Sequence, residues 1–366
     1  QYSGVTRDGV YDMAGNVREW TRNAYGESRY NQGGGWDDPE YAFNDAITSL
    51  AFDRSPGNGI RLVQYPDTTN VAAASAPIEK AFRDYSAETP VSDEVFDVYR
   101  QMYAYDRTPL NATVLSSDTT ATYIRERIEM DAAYGGERLT AFLFLPRGSG
   151  AVGPYQPVVF FPGSNDIYKR SYDDMNIGLL DFILRSGRAL VYPIYKGTYE
   201  RGTDLVSDIQ DESNLYRDHV IAWAQDLGRS IDYLETRPDI DADRVGYFGV
   251  SWGGVLGGIM TAIEPRIGAS VLVVGGLEMQ ATQPVSDPFN FLPRITVPTL
   301  MLNGRYDSFF PLEASIMPFF ENLGTPDEDK KIIITDSNHF VLAYEANLAI
   351  AETLDWFDRY LGVVER

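Results

Sequence analysis

The sequence predicts an α/β protein: a mostly parallel, doubly wound sheet with helices on both faces, behind a small loop-rich N-terminal module. Three observations carry this. Two strand-like runs at residues 123–130 and 139–145, joined at Gly135-Gly136, give way to alternating strands and helices. An apolar strand-like run, Arg244-Val245-Gly246-Tyr247-Phe248, leads through Gly249-Val250-Ser251-Trp252-Gly253-Gly254 into the apolar, helix-like 255–260. The length of 366 residues suggests one large domain or two unequal ones.

Taken in order, residues 1–64 are rich in Gly, Asn, Tyr and Trp and poor in helical periodicity. Three stretches stand out: residues 9–21, with Asp12-Met13-Ala14-Gly15-Asn16-Val17-Arg18-Glu19-Trp20; Gly33-Gly34-Gly35-Trp36-Asp37-Asp38-Pro39; and Gly59-Ile60-Arg61-Leu62-Val63. Asp12 and Glu19 could supply carboxylates, and the backbone between them carbonyls, a set that suits a hard cation such as calcium. Solvated acids on a glycine-rich turn are the plainer alternative. Residues 65–89 read as a linker from their Ala, Ser and Pro content. Residues 90–366 make the large domain.

Val95, Phe96, Val98, Tyr99, Met102 and Tyr103 recur at helical steps, so residues 91–105 read as an amphipathic helix. Residues 157–161 read as a buried strand, 172–184 as a helix stopped at Gly187, and 189–194 as a strand. A long helix is expected over 213–236, with Leu215, Trp223, Leu227, Ile231 and Leu234 on one face. Strands follow at 269–274, 299–302 and 331–334, and a closing helix at 344–361.

Composition narrows the function. Apolar content of 44% is enough for a sizeable core, and a net charge of −22 argues against nucleic acid or anionic membranes as partners. The chain has no cysteine, which removes disulfides, thiolate nucleophiles and Cys-ligated zinc. There is no apolar run of about 18 residues, so no membrane-inserting helix is expected. No signal pattern opens the chain; it reads as soluble, with a lean to the cytoplasm, and its abrupt start without Met reads as a fragment or processed chain.

A G-x-S-x-G between a strand and a helix marks a sharp turn that holds a serine at its apex. A serine hydroxyl is a poor nucleophile at neutral pH and needs a base within hydrogen-bond reach. The chain holds two histidines. His219 falls on the stripe of the long helix shared by Leu215 and Trp223 and reads as packed. His339 follows the last strand, where α/β sheets place reactive groups, and is the expected base. Asp307, after the strand at 299–302, is the preferred acid to orient His339; Asp336 and Glu313 are the lesser candidates. The backbone N–H groups of Trp252 and Ser164, with Asn165 next, are expected to bind the oxyanion. Trp252, Tyr195, Tyr199, Phe309 and Phe310 are candidate pocket walls alongside Asn165, or else plain core residues. The polar loop at residues 196–201 either faces substrate or is plain surface. The stretch 275–297 is too short for a large lid, so an open cleft for small or short-acyl esters is expected.

Two resemblances follow. The three N-terminal stretches resemble, in order and spacing, the C-terminal part of the formylglycine-generating enzyme (sulfatase-modifying) fold. That resemblance implies calcium held by the side chains of Asp12 and Glu19 and the carbonyls of Gly15 and Val17. The family's oxidase chemistry needs cysteines, which are absent here, so the module reads as a catalytically silent, truncated remnant. The order Ser251, Asp307, His339, with the glycine turn at Gly163, resembles the α/β-hydrolase superfamily over residues 90–366, and within it the dienelactone-hydrolase-like and prolyl-oligopeptidase-like branch. Members of that family often carry His-Gly where this chain has Pro162-Gly163. The fusion resembles the C-terminal part of large bacterial multi-domain proteins, some led by a protein kinase.

The resemblance implies a serine carboxylesterase that forms an acyl-enzyme on small-molecule esters, with no cofactor for catalysis and a structural calcium as the one expected metal. An acyl-peptide hydrolase or peptidase on the same triad, or a non-catalytic binding module, are the alternatives. Oligomeric state and acyl preference are not legible in the sequence.

Overall fold

The computed structural model describes residues 9–26, 28–36, 38, 47–65, 69, 71–78 and 83–365. Residues 1–8, Asp37 and Pro39 of the N-terminal stretches lie outside them, as do parts of the expected linker.

The N-terminal module, expected to be loop-rich, contains a four-stranded sheet. Its strands are β1 (Arg18–Tyr25), β2 (Ser28–Gln32), β3 (Ile47–Leu50) and β4 (Asn58–Gly59), in the order β3-β2-β1-β4. β1 and β2 form a tight antiparallel hairpin whose register slips between Trp20 and Ala24. Burial on these strands does not alternate cleanly, which is why no strand periodicity shows in the sequence.

Of the four residues expected to hold calcium, Glu19 is already engaged. Both carboxylate oxygens of Glu19 accept from Arg61 Nε, at 2.7 Å each. Arg61 also donates to the Asp12 carbonyl at 2.6 Å, and the Gly15 carbonyl accepts from the Val17 N–H at 3.0 Å. The guanidinium therefore already neutralises the carboxylate a metal would use.

A short helix, α1 (Val71–Ala74), lies in the expected linker, and α2 (Asp93–Tyr103) opens the large domain. The strands β5 (Thr113–Thr119), β6 (Tyr123–Asp131), β7 (Arg138–Pro146), β8 (Pro157–Phe161), β9 (Ala189–Pro193), β10 (Val245–Val250), β11 (Ile267–Val273), β12 (Thr299–Gly304) and β13 (Lys330–Thr335) make one sheet. Its order is β13-β12-β11-β10-β8-β9-β7-β6-β5. From β9 to β13 the pairs are parallel; β7, β6 and β5 join antiparallel. The sequence reading missed β5. All seven of its residues are exposed, and TVLSSDT carries no apolar alternation.

The interleaved helices are α3 (Asn165–Tyr168), α4 (Asp181–Arg185), α5 (Asn214–Leu234), α6 (Trp252–Ile263), α7 (Met317–Asn322), α8 (Val341–Tyr344) and α9 (Ala346–Leu361). They cover both faces. Val159 and Phe161 of β8 pack with Trp223 of α5 and Leu256 of α6, while Val158 and Phe160 pack with Ile183 of α4 and Phe357 of α9. That is the period of two that a strand imposes, buried on both sides.

The helix expected over 172–184 is a correction: only α4 is α-helical, preceded by 3₁₀ turns at Tyr172–Asp174 and Gly178–Leu180. The Ser171 hydroxyl accepts from the Asp173 N–H and the Asn176 side chain from the Gly178 N–H at 2.8 Å. Such side-chain bonds compete with the helical ladder. Leu215 is a second correction: it is 43% exposed, off the buried face of α5.

The chain runs from β8 outward to β9, then crosses to β10 on the other side of β8. Loops leaving β8 and β10 therefore diverge and open a crevice at the carboxyl edge of the sheet, where such sheets bind ligands.

Candidate active site

Ser251 stands in that crevice between β10 and α6. Its backbone is left-handed, at φ 53° and ψ −109°, a conformation non-glycine residues adopt only under constraint. The constraint is visible on both sides. The Ser251 N–H donates to the Val273 carbonyl at 2.8 Å, and the Gly253 N–H to the Pro162 carbonyl at 3.0 Å. A Cβ at Gly253 would collide with the Phe161 carbonyl, so only glycine lets α6 start this close to β8.

Asp307 and His339 arrive from adjacent strands. β12 and β13 pair in register up to Gly304 and Thr335. Beyond them the Arg305 N–H donates to the Thr335 carbonyl at 2.8 Å and the Tyr306 N–H to the Ser337 carbonyl at 3.0 Å. A Cβ at Gly304 would strike the carbonyls of Ser337 and Asn338, so this glycine lets the two loops touch.

The geometry joins the three side chains. His339 Nε2 lies 2.9 Å from Ser251 Oγ, and His339 Nδ1 lies 2.7 Å from Asp307 Oδ2. An ionised carboxylate only accepts, so Nδ1 carries the proton and Nε2 offers a lone pair to the serine hydroxyl. The other Asp307 oxygen accepts from the N–H groups of Phe309 and Phe310, at 2.9 and 3.1 Å. Asp307 is 3% exposed and His339 8%. The rings of Phe309 and Phe310 flank the imidazole at 4.8 and 5.7 Å. Asp336 instead sits at the surface beside Arg305, and Glu313 is exposed.

The amides of Ser164 and Trp252 have no hydrogen-bond acceptor among the described residues. Both flank Ser251, Trp252 in sequence and Ser164 through Gly163, whose Cβ position lies 3.6 Å from the Ser251 Cβ. Two unpaired donors beside a hydroxyl are what a developing oxyanion needs.

Two hollows meet at Ser251 and His339. One, of about 110 Å³, is lined by Ser164, Met279, Gln280, Ser308, Phe309 and Phe310 among others. The other, of about 300 Å³, is lined by Asn165, Leu179, Tyr192, Val250, Phe340 and Leu342 among others. Asn165 lines the second hollow, and Phe309 and Phe310 line the first.

Tyr195, Tyr199 and the ring of Trp252 line neither hollow, and are corrected as pocket walls. Tyr195 is wholly buried, stacks on Phe161 at 4.0 Å and donates to the Phe160 carbonyl. Tyr199 is 1% exposed and bonds the Tyr192 hydroxyl. The Trp252 indole packs edge-on against Phe161 and Trp223, and its buried N–H finds no partner among the described residues. Each ring lies in the core, where its area contributes more than at a wet edge. The polar loop at 196–201 is no substrate wall either. Arg201 donates to buried Asp226 at 2.6 Å and to Tyr134 at 2.7 Å, and Lys196 pairs with Glu137 at 2.6 Å. Burial pushes the Asp226 carboxyl up, and Arg201 opposes it.

Sequence reading missed Ser308, Gln280, Phe340 and Leu342 as lining residues. Ser308 and Phe340 directly follow Asp307 and His339, a positional signal that was available. Gln280 and Leu342 gave none.

Solved structures share this architecture. An acetyl xylan esterase from Paenibacillus sp. R4 superposes with a TM-score of 0.57 at 17% identity, over 74% of this chain and 96% of that one. The chain has the α/β-hydrolase fold. A second α/β-hydrolase, acetyl xylan esterase 1 from Thermoanaerobacterium sp. JW/SL YS485, matches with a TM-score of 0.57 at 16% identity, over 74% and 94% of the two chains. A family model described as PETase, PET hydrolase-like, matches residues 217–366, which carry Ser251, Asp307 and His339. Among curated proteins, a bis(hydroxyethyl) terephthalate hydrolase of Streptomyces coelicolor is 25% identical over 158 residues, 41% of this chain and 46% of that protein. The acetyl esterase Axe7A of Xylanibacter ruminicola is 29% identical over 175 residues, 41% of this chain and 38% of that protein. The matched segment thus spans less than half of each curated relative.

Proposed function

We propose that this α/β-hydrolase is a serine carboxylesterase acting on small or short-acyl esters. Ser251 Oγ attacks the ester carbonyl while His339 Nε2 takes its proton. His339 then gives that proton to the departing alkoxide, leaving an acyl group on Ser251. Water, deprotonated by His339, attacks the acyl carbon; the acyl–Oγ bond breaks, His339 returns the proton to Ser251 Oγ, and the acid leaves. Asp307 keeps Nδ1 protonated and stabilises the imidazolium of each transition state. The amides of Ser164 and Trp252 receive the oxyanion.

The observation that carries this reading is the hydrogen-bonded chain from Ser251 through His339 to Asp307, beside two unpaired amides. The ester chemistry named in the curated relatives and the esterases among the solved structures support it. The hollow of about 110 Å³ beside Ser251 holds on the order of four waters' worth of volume, which suits a short acyl group.

The test is hydrolysis of p-nitrophenyl esters of graded acyl length by wild type and Ser251→Ala, against aminoacyl p-nitroanilides. Ser251-dependent cleavage that fades with acyl length is expected. Preference for the anilides would turn the reading to a peptidase, and equal rates in the two proteins would remove it.

A further inference from the structure

The wall of the narrow hollow beside Ser251 touches a segment far away in the sequence. Met279 and Gln280, with Glu278 before them, line that hollow from the loop between β11 and β12. The loop has no α-helix, only 3₁₀ turns at Pro284–Ser286, Pro288–Asn290 and Leu292–Arg294. Its shape therefore depends on what grips it.

Ser315 holds the Leu277 carbonyl at 2.6 Å and Thr282 bonds the Asp211 carbonyl at 2.8 Å; residues 83–103 supply the rest of the grip. The Tyr85 hydroxyl donates to the Glu278 carbonyl, and the Tyr85 ring, 5% exposed, packs on Phe289 at 5.0 Å. Arg83 donates to Asp287 at 2.7 Å and to Glu88, with its guanidinium 4.7 Å above the Tyr85 ring. Farther on, the Val91 N–H donates to the Asn290 side chain at 3.0 Å and the Tyr103 hydroxyl to the Val285 carbonyl at 2.6 Å. Asp287 is 2% exposed; burial pushes its carboxyl up, and Arg83 and the Phe289 N–H oppose that.

We propose that Tyr85 and Arg83 are positioning residues that clamp the β11–β12 loop and so set the width of the acyl pocket, in a stretch that reads in the sequence as a linker. This rests on the esterase reading of Ser251.

The variants are Tyr85→Phe, which removes one hydroxyl and keeps the ring, and Arg83→Met, which strands a buried carboxylate and can cost the fold. Each is compared with wild type by amide hydrogen exchange and by kcat/KM on p-nitrophenyl acetate and hexanoate, below the melting temperature. Tyr85→Phe is expected to speed exchange at residues 278–280 about fivefold or more, the equivalent of one lost hydrogen bond, and to lower the acetate-to-hexanoate ratio by a similar factor through KM rather than kcat. A purely structural Tyr85 would lower the melting temperature and leave that ratio alone. Unchanged exchange in both variants overturns the clamp, and so does faster exchange with an unchanged ratio. If Ser251→Ala hydrolyses as fast as wild type, the esterase reading falls, while exchange at 278–280 still decides the clamp.

Discussion

The loop that carries His339 and the helix that carries His219 present nearly the same local geometry. Both imidazoles are buried, and both have each ring nitrogen engaged. His219 Nε2 lies 2.8 Å from the Thr203 hydroxyl, and its Nδ1 lies 2.7 Å from the Leu215 carbonyl. For His339 the matching partners are Ser251 at 2.9 Å and Asp307 at 2.7 Å. A histidine paired with a hydroxyl is therefore not enough to make a reactive centre. Behind His339 stands a carboxylate that can answer a positive charge on the ring; behind His219 stands a neutral carbonyl of its own helix. In front of His339 the hydroxyl rides a strained turn beside two amides unpaired among the described residues, whereas the Thr203 hydroxyl also accepts from the Leu205 N–H at 3.2 Å.

The sharpest way to break the comparison is to remove each hydroxyl in turn. Ser251→Ala is expected to lower kcat on p-nitrophenyl acetate by about 10⁴-fold or more, and His339→Ala similarly. Thr203→Ala should leave kcat within about twofold and cost only the ~1 kcal/mol of a lost hydrogen bond in urea unfolding. Next comes the group behind the ring. Asp307→Asn keeps the shape but removes the charge, and kcat should fall by about 10⁴-fold, the loss such a triad shows when the histidine tautomer is wrong.

A smaller effect separates the two histidines by pH. Burial pushes His219 below its ordinary value of 6.5. Between its folded and unfolded pKa the unfolded chain binds more protons, so the stability that neutral His219 contributes is complete above about pH 6.5 and is lost as pH falls through the folded value. Melting temperature plotted against pH should therefore decline on the acid side of 6.5, and His219→Gln should flatten that decline. The smallest effect is expected in the N-terminal sheet. With Arg61 already on Glu19, a chelator should move the melting temperature by less than about 1 °C, and a clear calcium-dependent rise would return a cation to that site.

The cluster of Ser251, His339 and Asp307 was legible because hydrolytic chemistry leaves few choices. Two histidines, one of them on a helix stripe, leave His339; an acid directly after a strand leaves Asp307; and the turn at Ser251 sits between a strand and a helix. The pocket was less legible. A tyrosine just past a strand, such as Tyr195, can turn to the cleft or back to the core, and nothing local decides; the open face of Phe161 does. Asn165, by contrast, sits at the first turn of a short helix aimed at the crevice. β5 was hidden by polarity, since both its faces are wet. The grip of Arg83 on Asp287 spans 204 positions and leaves no trace in local composition.

The backward-turned backbone at Ser251 has one more consequence. A non-glycine residue held there stores about 1–3 kcal/mol that the rest of the fold must supply. Ser251→Gly, which relaxes that conformation, should give a dead protein that melts higher than the living one. On the esterase reading proposed above, thermal robustness and catalysis thus compete at a single residue.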